Sequence, residues 1–149
     1  MRLKIRTSVK APLKSVKEGF TKELFLALNP PFPSVRLLQF DGCETGDKVS
    51  LELNFLLFRQ EWTSEITHHL SGDTKWVFVD EGVKLPFFLS RWTHHHEVQE
   101  TFEISSDIID DISYATGTIL TDLLMYPVLY LQFLYRRPIY KRIFTKKAS

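Results

Sequence analysis

At 149 residues the chain can bury one hydrophobic core, and its 44% hydrophobic and 25% charged residues exclude a disordered or collagen-like class. A formal net charge of +1 supplies no overall field for nucleic acid or an anionic membrane, and the lone Cys43 excludes an internal disulfide and a zinc-finger ligand set. The reading is one cytoplasmic domain over residues 1–149, with 12 Phe, 5 Tyr and 3 Trp to fill an interior or line a cavity.

Leu3, Ile5, Thr7 and Val9 alternate with Arg2, Lys4, Arg6 and Ser8, which predicts a half-buried first strand instead of an apolar leader. After Ala11-Pro12 the spacing of Leu13, Val16 and Phe20 is helical, and Thr21 suits the cap of a second short helix bearing Leu24, Phe25 and Leu28. Asn29-Pro30-Pro31-Phe32-Pro33 stops it. Six strands follow, over residues 35–40, 48–58, 61–70, 74–80, 87–97 and 101–114. Turn chemistry at Asp41-Gly42, Thr45-Gly46-Asp47, Ser71-Gly72-Asp73 and Glu81-Gly82 makes neighbours antiparallel. The reversal between the last two strands is placed at Val98-Gln99-Glu100.

Beyond Gly117-Thr118 the period is helical again, with Leu120, Leu123, Leu124, Leu131 and Leu134 expected to face inward and Asp122 at the positive helix end. Pro127 is expected to kink this helix. Asp122 and Pro127 interrupt the apolar run 119–135, which is short of the roughly 20 residues a membrane span requires, so stable membrane insertion is not expected. Arg136, Arg137, Lys141, Arg142, Lys146 and Lys147 read as a solvated basic terminus.

The fold class this order predicts is α+β: a seven-stranded antiparallel curved sheet wrapped around a long C-terminal helix, with two short helices between strands 1 and 2. The element order, together with Trp62-x-Ser64-x-Ile66, Asp80 followed by Leu85-Pro86-Phe87, Trp92-x-His94-x-His96, Asp110-x-Ile112-x-Tyr114 and Tyr135-Arg136, resembles the ligand-binding branch of the SRPBCC superfamily over essentially the whole chain. That resemblance implies the helix-grip fold shared with START lipid-transfer domains, the major birch pollen allergen and polyketide cyclases. It does not select among their functions.

Alternation places Phe88, Trp92, His94 and His96 on one face of a strand, Asp110 and Tyr114 on another strand, and Trp62 and Ser64 on a third. If these faces meet, two tryptophans frame a polar cluster at an apolar cavity, and Asp110 requires a partner such as a histidine. Those eight residues are the candidate ligand-binding set. The first-ranked function is binding of a small apolar molecule, such as a lipid, a polyketide-like compound or an aromatic metabolite, without catalysis. A filled interaction module comes second, and an enzyme using a cavity histidine third.

A metal held by His94, His96 and Asp110 is not expected, since two histidines and an unproven carboxylate do not make a site; no cofactor motif is present, and no residue is assigned a catalytic role. His68-His69 and Cys43 read as surface groups. A homodimer through an edge strand or the terminal helix is compatible with the sequence and receives no particular support from it.

Overall fold

The computed structural model describes residues 1–102 and 104–146. Strand β1 (Arg2–Val9) leads into two short helices, α1 (Leu13–Glu18) and α2 (Lys22–Ala27). There follow β2 (Ser34–Phe40), β3 (Lys48–Asn54), β4 (Arg59–Ser71), β5 (Lys75–Lys84), β6 (Arg91–Phe102), β7 (Ser105–Ala115) and the helices α3 (Ile119–Leu134) and α4 (Arg136–Lys146). One antiparallel sheet has the order β1-β7-β6-β5-β4-β3-β2, a meander whose first strand returns to pair with the last. The curled sheet, the C-terminal helical segment and the two short helices are those the sequence predicts.

Local chemistry explains the elements. β1 alternates buried and exposed residues along its whole length, with Leu3, Ile5, Thr7 and Val9 inward. The Thr21 hydroxyl caps α2 by accepting from the Leu24 amide. The Thr118 hydroxyl does the same for α3 through the Thr121 amide.

Several boundaries differ from the sequence reading. The apolar run 55–58 is a tight turn instead of strand: Leu56 adopts φ 75°, the Phe55 amide donates to the Phe58 carbonyl, and Leu56 and Leu57 lie exposed. Residues 87–90 likewise form a turn, closed by the Leu89 amide on the Pro86 carbonyl, so β6 starts at Arg91. Glu81-Gly82 is not a hairpin. β5 continues to Lys84, and a Cβ at Gly82 would collide with the Leu85 side chain. The last reversal falls after Phe102, past the expected Val98-Gln99-Glu100, and residue 103 lies outside the described residues.

The C-terminal helix, expected to be continuous, breaks at Tyr135, while α3 runs on through Pro127. Pro138 has no amide to offer the Leu134 carbonyl, so the ladder is interrupted at the α3–α4 junction. The inward face also differs: Asp122, Leu129 and Phe133 are buried, whereas Leu120, Leu123, Leu124 and Leu131 are exposed and Leu134 is half-buried. A helix apolar on nearly every side carries little phase information. The stripe that decides it is Leu129, Phe133, Arg136, Tyr140 and Phe144, which continues across both helices. Lys147 of the expected basic terminus lies outside the described residues.

The core has two clusters. One gathers Val9, Val16, Leu24, Ile66, Phe78, Val98, Ile108, Tyr140 and Phe144; the other gathers Leu3, Ile5, Trp92, Ile112, Tyr114, Leu129 and Phe133. On β7, Asp110 lies between Ile108 of the first and Ile112 of the second. On β6, His94 and His96 lie between Trp92 and Val98, and on the helices Arg136 lies between Phe133 and Tyr140. A polar seam therefore crosses the molecule where the clusters meet.

Candidate functional site

Between the sheet and the helices lies a cavity of about 530 Å³. Its walls are mainly apolar: Leu24 and Phe25 of α2 with Leu28 at its C-cap, Val49, Leu51 and Leu53 of β3, and Met125, Leu129 and Phe133 of α3 contribute to them. Ser64, Asp80, His94, His96, Arg136 and Tyr140 bring the polar seam to the same cavity. Apolar walls with a few converging polar groups are the usual composition of a small-molecule site.

Six of the eight expected residues, Trp62, Ser64, Phe88, Trp92, His94 and His96, line this cavity. The tryptophans do frame the polar groups. Trp62 and Trp92 meet edge to face at 4.7 Å, the Trp62 indole N–H donates to Ser64 Oγ at 3.1 Å, and that of Trp92 donates to Asp80 Oδ1 at 3.1 Å. The other two residues stand elsewhere. Asp110 lies fully buried behind His94, and Tyr114 is locked away from the cavity by donating its hydroxyl hydrogen to the Asp122 carbonyl at 2.7 Å.

Asp110 has the histidine partner its burial requires: Oδ1 is 2.9 Å from His94 Nε2 and 3.7 Å from Arg136 Nη1. Arg136 also covers the Phe133 ring at 4.2 Å, so this residue is held in the seam instead of the solvent expected from the sequence. His96 Nε2 lies 2.6 Å from Asp80 Oδ2, and the His94 and His96 rings pack with centroids 3.5 Å apart. Burial opposes ionisation of Asp80 and Asp110. Hydrogen bonds and positive charge from the two histidines outweigh it, aided at Asp110 by Arg136, and hold both carboxyls below the usual range. Burial, followed by the charge of His96, pushes His94 down to about 4, against the pull of Asp110 and Asp80.

Sequence reading missed Asp80, Arg136 and Tyr140 as site residues. Asp80 had a legible signal, because alternation along Trp76-x-Phe78-x-Asp80 sets a carboxylate on an apolar face. Tyr140 is buried with no hydrogen-bond partner for its hydroxyl among the described residues, and burial together with the Asp110 charge raises its pKa, so it stays a donor. Cys43 is in the loop between β2 and β3 as expected, but half-buried on the cavity wall, and burial, then Asp47 and Asp80, push its thiol up to about 12. His68 is exposed as expected, while His69 accepts from the Trp76 indole at 2.9 Å.

No protein-family model and no curated protein matches the chain. Solved structures do. An aromatase/cyclase from a Streptomyces species superposes with a TM-score of 0.69 at 13% identity, over 94% of this chain and 90% of that one. A point mutant of norcoclaurine synthase from Thalictrum flavum, in complex with a transition-state analogue, gives 0.69 at 11%, over 100% and 96%. This chain has the helix-grip fold. A di-domain aromatase/cyclase from the steffimycin biosynthetic pathway reaches 0.73 at 12% identity, with 99% of this chain matching 51% of that one. At such identities the helix-grip likeness extends to the fold and no further. Among the described residues no helix is long and apolar enough to cross a membrane.

Proposed function

We propose that the chain is a single ligand-binding domain that holds a small, largely apolar molecule in the cavity between its sheet and helices. The observation that carries this reading is the cavity itself, about 530 Å³ of apolar space ending on a polar seam. An apolar body fits the Leu and Phe walls, and a polar end meets Tyr140, His96 and Arg136. The unpartnered Tyr140 hydroxyl supports this orientation, because a buried donor without an acceptor gains a hydrogen bond when a ligand oxygen arrives.

Ring-containing ligands suit these walls. One structural neighbour, norcoclaurine synthase, was solved with dopamine and hydroxybenzaldehyde, and two others are aromatase/cyclases. A carrier is favoured over a module with a filled interior, since the interior here is open. A cytoplasmic, reducing setting suits it, because Cys43 is a free thiol on the cavity wall.

The test is native mass spectrometry of freshly purified protein, paired with titration of an anilinonaphthalene sulfonate probe. The expected result is one organic molecule or one probe bound per chain and released on unfolding. Leu51→Trp, which fills the cavity from β3, should abolish probe binding and leave the melting temperature within a few degrees. Absence of saturable binding, or binding that Leu51→Trp leaves intact, would overturn the reading.

A further inference from the structure

We propose that Asp80, His94 and His96 form a site for one divalent first-row transition-metal ion of the Zn²⁺ class, opening onto the cavity. One ligand atom from each lies within 4.8 Å of the other two. Asp80 Oδ2 is 2.6 Å from His96 Nε2 and 3.5 Å from His94 Nδ1. Two imidazoles and a carboxylate, each about 2 Å from a shared ion, take up this spacing with small side-chain adjustments. The third donor is Asp80 of β5, paired with His94 in the sheet register, and not Asp110 of β7.

Three further observations distinguish the cluster from an ordinary buried network. His94 directs Nε2 at Asp110 at 2.9 Å, so the proton of a neutral ring belongs there, and its Nδ1 lone pair then confronts the Asp80 carboxylate. A proton or a cation must separate two such atoms, and 3.5 Å is long for a hydrogen bond. Asp110 has Arg136 as a fixed cation, whereas among the described residues no Lys or Arg pairs with the half-buried Asp80, whose polar partners are the two histidines and the Trp92 indole. The supports of a metal site are also in place: Asp110 fixes the His94 ring from behind, and the Trp92 indole orients Asp80 through Oδ1.

All three donors line the cavity, so the remaining coordination positions face a bound molecule. The inference goes beyond the ligand-binding reading and stands independently of it, because a metal titration requires no organic ligand. Either result leaves the other question open.

The experiment uses untagged, chelator-treated protein titrated with Zn²⁺ by calorimetry and with Co²⁺ by visible absorption. The expected result is one ion per chain. Asp80→Asn and His96→Gln should each weaken binding by about tenfold or more with an unchanged circular dichroism spectrum, and His96, being partly exposed, supplies a folded variant if Asp80→Asn is unstable. Asp110→Asn, at a positioning residue, should weaken it by about tenfold to a hundredfold and alter the cobalt spectrum. His68→Ala should change nothing. The proposal is overturned if the wild type shows no saturable one-to-one binding, if His96→Gln retains full affinity, or if His68→Ala removes it.

Discussion

His94 is held neutral by burial among Trp92, Phe133 and His96, and this has a direction in pH. Its folded pKa of about 4 lies below the ordinary 6.5, so between those values the unfolded chain binds more protons than the folded one. Stability should therefore be complete above pH 6.5 and fall on acidification toward 4, by about 3 kcal/mol from this residue. Urea midpoints of the metal-free protein across that range check it, and a flat profile would contradict it. Asp80 and Asp110, both held low, add a further loss only below their ordinary 3.8. Asp110→Ala should cost about 3 kcal/mol or more, because it leaves Arg136 and His94 without their buried acceptor, whereas Asp110→Asn keeps an oxygen for His94 and should cost less; chemical denaturation separates the two. Much of this site was legible, because strand alternation alone sets His94 on one face with His96 and Trp92, and Trp62 with Ser64 on a second strand. Arg136 was not: a cation near the end of a basic helix reads as solvated, and only the stripe through Phe133 and Tyr140 reveals its inward direction.

At the level of elements, α3 is the sharpest case of sequence and structure parting. Leu129→Ala should lower stability by about 2–5 kcal/mol, the usual loss for a buried leucine, while Leu124→Ala should stay within about 0.5 kcal/mol. Equal effects at both positions would show that the helix has rotated, and thermal or urea unfolding of the pair decides it. The strands were easier to read, because a period of two survives wherever one face meets water, as in β1. α3 has no such contrast, since apolar side chains cover its outer face as well. The break in this helix was hidden for a related reason. Sequence locates prolines but does not weigh them, and the interruption came where Pro138 leaves the Leu134 carbonyl without an amide, not at Pro127. Residues 55–58 misled in another way, since four apolar residues extended a strand pattern through what Leu56 turns into a hairpin loop.

Across the whole molecule the cavity follows from uneven cover of the sheet. The helices pack closely on β1, β5, β6 and β7, while β2, β3 and β4 turn Val35, Val49, Leu51, Leu53 and Trp62 toward the cavity. β2 is also an edge strand without a fully buried residue, and its pairing with β3 shifts register between Leu37 and Gln39. Local opening is easiest where few apolar contacts must break, so β2 and β3 should be the first strands to open and the route by which a ligand enters. Hydrogen exchange followed by mass spectrometry should find amides of β2 and β3 exchanging faster than those of β6 and β7. A saturating probe should then slow exchange in β2–β4 and leave the β1–β7 pair unchanged, because only the former lose free space on binding. Uniform protection in the free protein, or slowing spread evenly over the sheet, would locate the opening elsewhere and separate the cavity from its proposed entrance.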